Sequence, residues 1–269
     1  MRSSRRGGGG RRGDAARGAA WGLGLLALSG CVSLHAPVPM TARADSLGAV
    51  PARCLIVLLP GLGDEGRTFF DQGFVARLRQ AGLSADLIAA DATLGYYESG
   101  SFVTRLDADL LGPARRRGYA RTLLVGASMG GFGSLFYASQ HPEEVDGVLA
   151  LAPWLGDEPV LSQIRAAGGL ARWPPPAPAP FDARNYQPQL WGWLKGVALE
   201  GRPGPEIWLG FGQGDRLRSA DELLAAALPA GRVLSAPGGH QWSTWRELLG
   251  EFLERSELAA ECRPGGGAG

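Results

Sequence analysis

From residue 54 onward, apolar and polar positions fall into two repeating rhythms. The run CLIVLLP at 54–60 is apolar without alternation, as in a strand buried on both faces of a parallel sheet. SADLIAAD (84–91), RTLLVGAS (121–128), DGVLALAP (146–153), EIWLGFG (206–212) and RVLSAPG (232–238) have the same form. Between or after these runs, amphipathic stretches with helical spacing lie near 67–81, 100–117, 130–140, 218–228 and 243–257. Regular strand–helix alternation predicts an α/β fold with a doubly wound, mostly parallel sheet. One interval, 154–204, breaks the rhythm. It carries RWPPPAPAPF, with five prolines, between Trp154, Trp173, Trp191 and Trp193. Such proline density favours stiff polyproline geometry. Because the interval leaves the carboxyl edge of the strand ending near Pro153, it is expected to be either a surface excursion or a small lid over a binding site.

The ends of the chain behave differently. Residues 1–30 hold six arginines and one acid before a short apolar run, Ala19 to Leu28, which is too brief for a stable membrane span. The run closes with Leu28-Ser29-Gly30-Cys31, which resembles the lipobox of bacterial lipoproteins. That resemblance implies a signal peptide over 1–30, lipidation of Cys31, and a protein exported to the cell envelope and anchored to a membrane by lipid. Removing 1–30 takes the basic residues from 27 to 21 and the acids from 26 to 25, so the remaining chain carries a formal −4. The excess arginine therefore serves export, and nucleic acid is not an expected partner. Residues 31–50 lack a sustained period and are expected to form a tether, followed by one domain over 51–260 and a flexible tail over 261–269.

Candidate chemistry centres on Gly126-Ala127-Ser128-Met129-Gly130. G-x-S-x-G is a weak signal in a chain with 42 glycines, but here it stands where a predicted strand turns into a predicted helix. Ligand sites of parallel sheets collect at that edge. With this context GASMGGFGSL resembles the elbow of the α/β-hydrolase superfamily, in particular the esterase branch that includes esterase D and the antigen 85 acyltransferases. A serine nucleophile needs a base, and three histidines exist. His35 precedes the sheet and His141 ends the helix that Ser128 opens, which leaves His240, in SAPGGHQWSTW after the last strand. The acid of this fold falls between serine and histidine in the chain. Asp215 in GFGQGDRLRSADELL is the candidate and Asp157 the alternative, while Ser219 is expected to cap the following helix and Asp221 and Glu222 to be ordinary first-turn acids. The backbone N–H of Met129 should supply one oxyanion donor. LLPGLGDEG resembles the superfamily's oxyanion loop, which implies Leu62 N–H as the second, although Pro60 stands where the family often has histidine.

These features imply a serine carboxylesterase with a small-molecule or lipid-like ester substrate, membrane contact only through its anchor, and neither metal nor cofactor. Two alternatives stay open: an acyltransferase using the same triad, and a noncatalytic ligand-binding lipoprotein on a hydrolase scaffold. Finally, Cys54 opens the first core strand at the amino edge of the sheet. The last helix starts at the catalytic edge and runs back about 22 Å over its 15 or so residues. That return places Cys262 beside Cys54 and makes a disulfide possible in an oxidising compartment.

Overall fold

The structure is a computed structural model that describes residues 33–48 and 52–264. The expected signal peptide over 1–30 and Cys31 lie outside those residues. Seven strands form one sheet: β1 (Ala42–Asp45), β2 (Cys54–Leu59), β3 (Ala85–Ala90), β4 (Arg121–Ala127), β5 (Gly147–Leu151), β6 (Glu206–Gly212) and β7 (Val233–Ala236). Their spatial order is β1-β3-β2-β4-β5-β6-β7. All neighbours run parallel except β1, which pairs antiparallel with β3 in the register Ala42↔Ala90 to Asp45↔Leu87. The six predicted strands are the six parallel ones. Every residue of β2, β3 and β5 is buried, as the unalternating apolar runs require of a sheet covered on both faces.

Residues 33–48 correct the expected tether. Met40 is buried against the core, its N–H donating to Asp109 Oδ2 at 2.7 Å, and β1 adds a strand to the sheet. ARAD alternates small apolar and polar residues over only four positions, too short and too weakly apolar to signal a strand; its backbone pairing with β3 and the ion pair of Asp45 with Arg79 at 2.6 Å place it. The C-terminal tail is likewise structured as far as it is described. Glu257–Glu261 is helical, and Cys262 is disulfide-bonded to Cys54 with Cα atoms 5.6 Å apart. Beside it, Ser84 N–H donates to Cys262 O at 2.6 Å and Cys54 N–H to Ser84 O at 3.1 Å.

The interval 154–204 is packed onto the domain. It contributes helices Glu158–Ala166 and Tyr186–Leu199, joined by the proline-rich strap. Trp191 Nε1 donates to Leu155 O at 2.8 Å in the interior, and Lys195 Nζ to Trp173 O at 3.0 Å. Pro188 and Gly192 interrupt the second helix's sequence pattern, which is why its fourteen residues gave no periodic signal.

Candidate active site

Ser128 sits between β4 and the helix Met129–Gln140, with φ 54° and ψ −114°. That left-handed conformation is strained for a residue with a Cβ and costs about 1–3 kcal/mol, so the surroundings must hold it. They do so on both sides. Ser128 N–H donates to Leu151 O at 2.8 Å, and its carbonyl accepts from Trp154 N–H and Phe132 N–H, both at 3.1 Å. The flanking glycines are sterically required. A Cβ on Gly126 would overlap the Gly130 carbonyl, and one on Gly130 would overlap the Leu59 carbonyl of β2. The turn is as tight as backbone contact permits.

His240 lies on the loop between β7 and the helix Trp242–Arg255. Its Nε2 is 2.9 Å from Ser128 Oγ, and its Nδ1 is 3.0 Å from each carboxylate oxygen of Asp215. Asp215 stands just past β6, its side chain wholly buried, with Oδ1 also accepting Leu217 N–H at 2.8 Å. The imidazole meets the Trp245 ring edge to face, centroids 4.8 Å apart, and Trp245 packs on Trp242. Strand ends, two hydrogen bonds and an aromatic support thus hold one ring between a hydroxyl and a carboxylate. Asp157 is not part of this constellation: it stands at the N-cap position of the helix Glu158–Ala166 without a side-chain cap, and its Oδ2 accepts from Gln187 Nε2 at 2.9 Å. His141 ends the helix that Ser128 opens and stacks on Tyr137, while the His35 side chain is exposed.

The loop after β2 reaches the same place. A Cβ built on Gly61 would stand 3.5 Å from Ser128 Cβ, so the Pro60–Leu62 turn lies against the serine. Met129 is the first residue of its helix, where an N–H has no intrahelical acceptor. Among the described residues, neither Leu62 N–H nor Met129 N–H has a protein acceptor. Beyond that loop, Glu65 caps the helix Gly66–Asp71, and burial raises the Asp64 carboxyl pKa against hydrogen bonds from Thr68 and Trp242 that lower it.

A cavity of about 180 Å³ opens beside Met129. Met129, Phe132, Phe136 and Gln140 line it as one helical stripe, at spacings of three and four residues. Trp154, Phe181 and Tyr186, from the interval 154–204, lie against that stripe, with Phe132–Trp154 and Phe136–Phe181 in edge-to-face contact at 5.3 and 4.9 Å. The stripe was visible in the sequence; its facing wall, drawn from distant segments, was not.

Two sequence expectations about the helix after Asp215 fail here. Ser219 caps nothing: the helix Arg218–Ala225 starts from Leu217 without a side-chain cap. Asp221 is not an ordinary first-turn acid either. It is fully buried, and neither carboxylate oxygen has a hydrogen-bond partner among the described residues. Burial, then the charge of Asp215, then that of Glu222 hold its carboxyl well above the usual carboxylate range, favouring the neutral acid. Glu222 falls past the first turn, which holds Asp221 alone, and pairs with Arg218 at the surface. Elsewhere Asp107, His141 and Glu144 bring ligand-type atoms within 4.8 Å of one another. Arg115 reaches into that cluster, 2.7 Å from Asp107 and 2.5 Å from Glu144.

The family described as "Putative esterase" matches residues 109–255, more than half of the chain. The protein belongs to this esterase family. It is a carboxylesterase-type hydrolase, and the matched span includes Ser128, Asp215 and His240. No curated protein matches the chain in sequence. Among solved structures, S-formylglutathione hydrolase from Staphylococcus aureus is similar with a TM-score of 0.52 at 15% identity, over 78% of this chain and 83% of that one. A monoacylglycerol lipase from Paleococcus ferrophilus gives 0.51 at 16% identity, over 81% and 99%. Est1E from Butyrivibrio proteoclasticus, solved with ferulic acid, gives 0.52 at 15% identity, over 80% and 95%. At these identities the likeness establishes the shared α/β-hydrolase fold.

Proposed function

We propose that this esterase cleaves carboxylic esters through an acyl-enzyme on Ser128. The observation that carries the reading is the single imidazole of His240 in hydrogen-bond reach of both Ser128 Oγ and Asp215. Nε2 takes the hydroxyl proton as Oγ attacks the ester carbon, and Asp215 holds the ring in the tautomer with Nδ1 protonated and compensates the imidazolium that forms. The oxygen that gains charge is received by Leu62 N–H and Met129 N–H, both free of protein acceptors and both beside Ser128. His240 then returns the proton to the leaving alcohol. A water activated by the same Nε2 releases the acid and restores Ser128.

The cavity beside Met129 supports an apolar group on the ester, with aromatic walls that exclude water from it. The reading extends to location. Cys31, after Leu28-Ser29-Gly30, is the site at which an export signal is cut and a lipid added, placing the esterase on a membrane of the bacterial envelope.

Labelling with a fluorophosphonate, followed by peptide mass analysis, tests the nucleophile. The adduct is expected on Ser128, and Ser128→Ala should lose the label and about 10⁴-fold or more in ester turnover while keeping its Tm. A label on another residue, or turnover surviving in Ser128→Ala, rejects the assignment.

A further inference from the structure

The segment expected to be a tether holds the start of the described chain at the catalytic edge. Because β1 is antiparallel to β3 and begins opposite Ala90, the last residue of β3, the chain comes into the domain from the edge where the parallel strands end. That is the edge of Ser128, Asp215 and His240. The residues before β1 are fixed there. Thr93 Oγ1 donates to His35 O at 2.5 Å, Tyr96 OH to Pro37 O at 2.6 Å, and Thr41 Oγ1 to Asp91 Oδ2 at 2.7 Å. Gly95 makes the docking possible, since a Cβ there would overlap the Leu34 carbonyl. Ser33 shares a polar pocket of about 210 Å³ with Gly63, Asp64, Thr93 and Leu94, so it lies beside the loop that carries Leu62 N–H.

From this placement we infer that the catalytic edge faces a lipid bilayer, and that the esterase draws its substrates from esters held in that bilayer. The inference rests on the lipid anchor at Cys31 proposed above. Only Val32 separates Cys31 from Ser33, and an extended chain covers at most about 7 Å over those two steps. A lipid on Cys31 is therefore tied to the rim of the active site, with no slack for the domain to turn away. Leu34 and Val38, 68% and 70% exposed, are two of the large apolar side chains most open to solvent, and both belong to this docked segment. Insertion of the acyl chains holds the anchor at the water–lipid boundary, and the two apolar side chains add to the same contact. The Met129 end of the cavity then opens toward the bilayer side of the protein, where the apolar part of a lipid ester can pass into it.

The full chain, expressed with its signal and recovered in vesicles of phosphatidylethanolamine and phosphatidylglycerol, tests this. Intact mass establishes the lipid first: a mature chain without it overturns the anchor and the orientation together. In the lipidated protein Leu34→Cys and Glu143→Cys each give one labelling site, because Cys54 and Cys262 are joined. Glu143 is exposed and follows the helix that runs away from Ser128, so it marks the opposite edge. A spin label at position 34 should collide with oxygen several-fold more, relative to a water-soluble nickel chelate, than one at 143. Equal water access at both positions overturns the orientation while leaving the anchor intact. A flexible insertion of twenty Gly and Ser residues between Val32 and Ser33 adds a span of about 25 Å. It should lower turnover of a vesicle-embedded ester at least tenfold without changing that of a soluble ester. Undiminished turnover in vesicles likewise overturns the inference.

Discussion

At the scale of single residues, two buried acids that follow β6 differ in what their carboxylates touch. Asp215 accepts from His240 Nδ1 and from Leu217 N–H, while Leu217 O receives the N–H of Asp221. One residue, Leu217, therefore links Asp215 to the buried, unpartnered acid. Asp215→Asn keeps the shape but offers an amide where the imidazole needs a negative acceptor, so kcat should fall by about 10⁴-fold. Asp157→Asn, remote from the triad, should leave steady-state rates within twofold, about the factor that 0.4 kcal/mol represents. A reversed result would reassign the acid. Asp221 predicts a stability effect. Unfolding exposes its carboxyl, which then ionises above about pH 4, whereas the folded chain retains the proton to higher pH. The unfolded state binds fewer protons over that range, so this residue subtracts from stability as pH rises. Asp221→Asn cannot ionise in either state. Melting curves should show its Tm rising relative to the parent from about pH 4 upward, and a constant difference would remove Asp221 from the account.

At the scale of elements, the helix Met129–Gln140 connects catalysis to selectivity. Its first residue offers a backbone donor beside Ser128, and its Phe132 and Phe136 line the cavity farther along. Phe136→Trp should fill the distal end and leave the triad untouched. On a series of soluble esters, kcat/KM for long acyl groups should drop at least tenfold, about 1.4 kcal/mol, while acetyl esters change little. Uniform loss across the series would show that the cavity does not receive the acyl group. These elements were unequally legible in the sequence. β2, β4, β5 and β6 announced themselves through apolar runs that only a doubly covered sheet explains, and Ser128, Asp215 and His240 followed from strand ends. β1 and the helix Tyr186–Leu199 did not. The first is an exposed edge held by backbone pairing, and the second carries a proline and a glycine that blur its period. Asp221 escaped because burial of one side of a first turn depends on what packs over it, which local sequence does not encode.

At the scale of the molecule, the disulfide closes a sequence separation of 208 residues and fastens the last helices to the first core strand. In the chain-entropy account a loop of that length is worth about 5 kcal/mol. Replacing both cysteines by serine should lower the Tm by on the order of 10 °C for a domain of this size, with activity retained at low temperature; an unchanged Tm would mean that the bond constrains little. The order of the strands carries a consequence for a chain being made. Once β2 and β3 have paired, β4 through β7 each join the growing flank in the order in which they are synthesised. The sheet can accrete steadily, yet Ser128 and His240 stand 112 residues apart. At 5–20 residues per second, on the order of 10 s pass between their appearances. During that interval the strained serine has no base. On the proposed mechanism the newborn polypeptide acquires architecture by degrees and hydrolytic power only once His240 has emerged, so a ribosome that stalls before that residue releases a scaffold that cannot attack an ester.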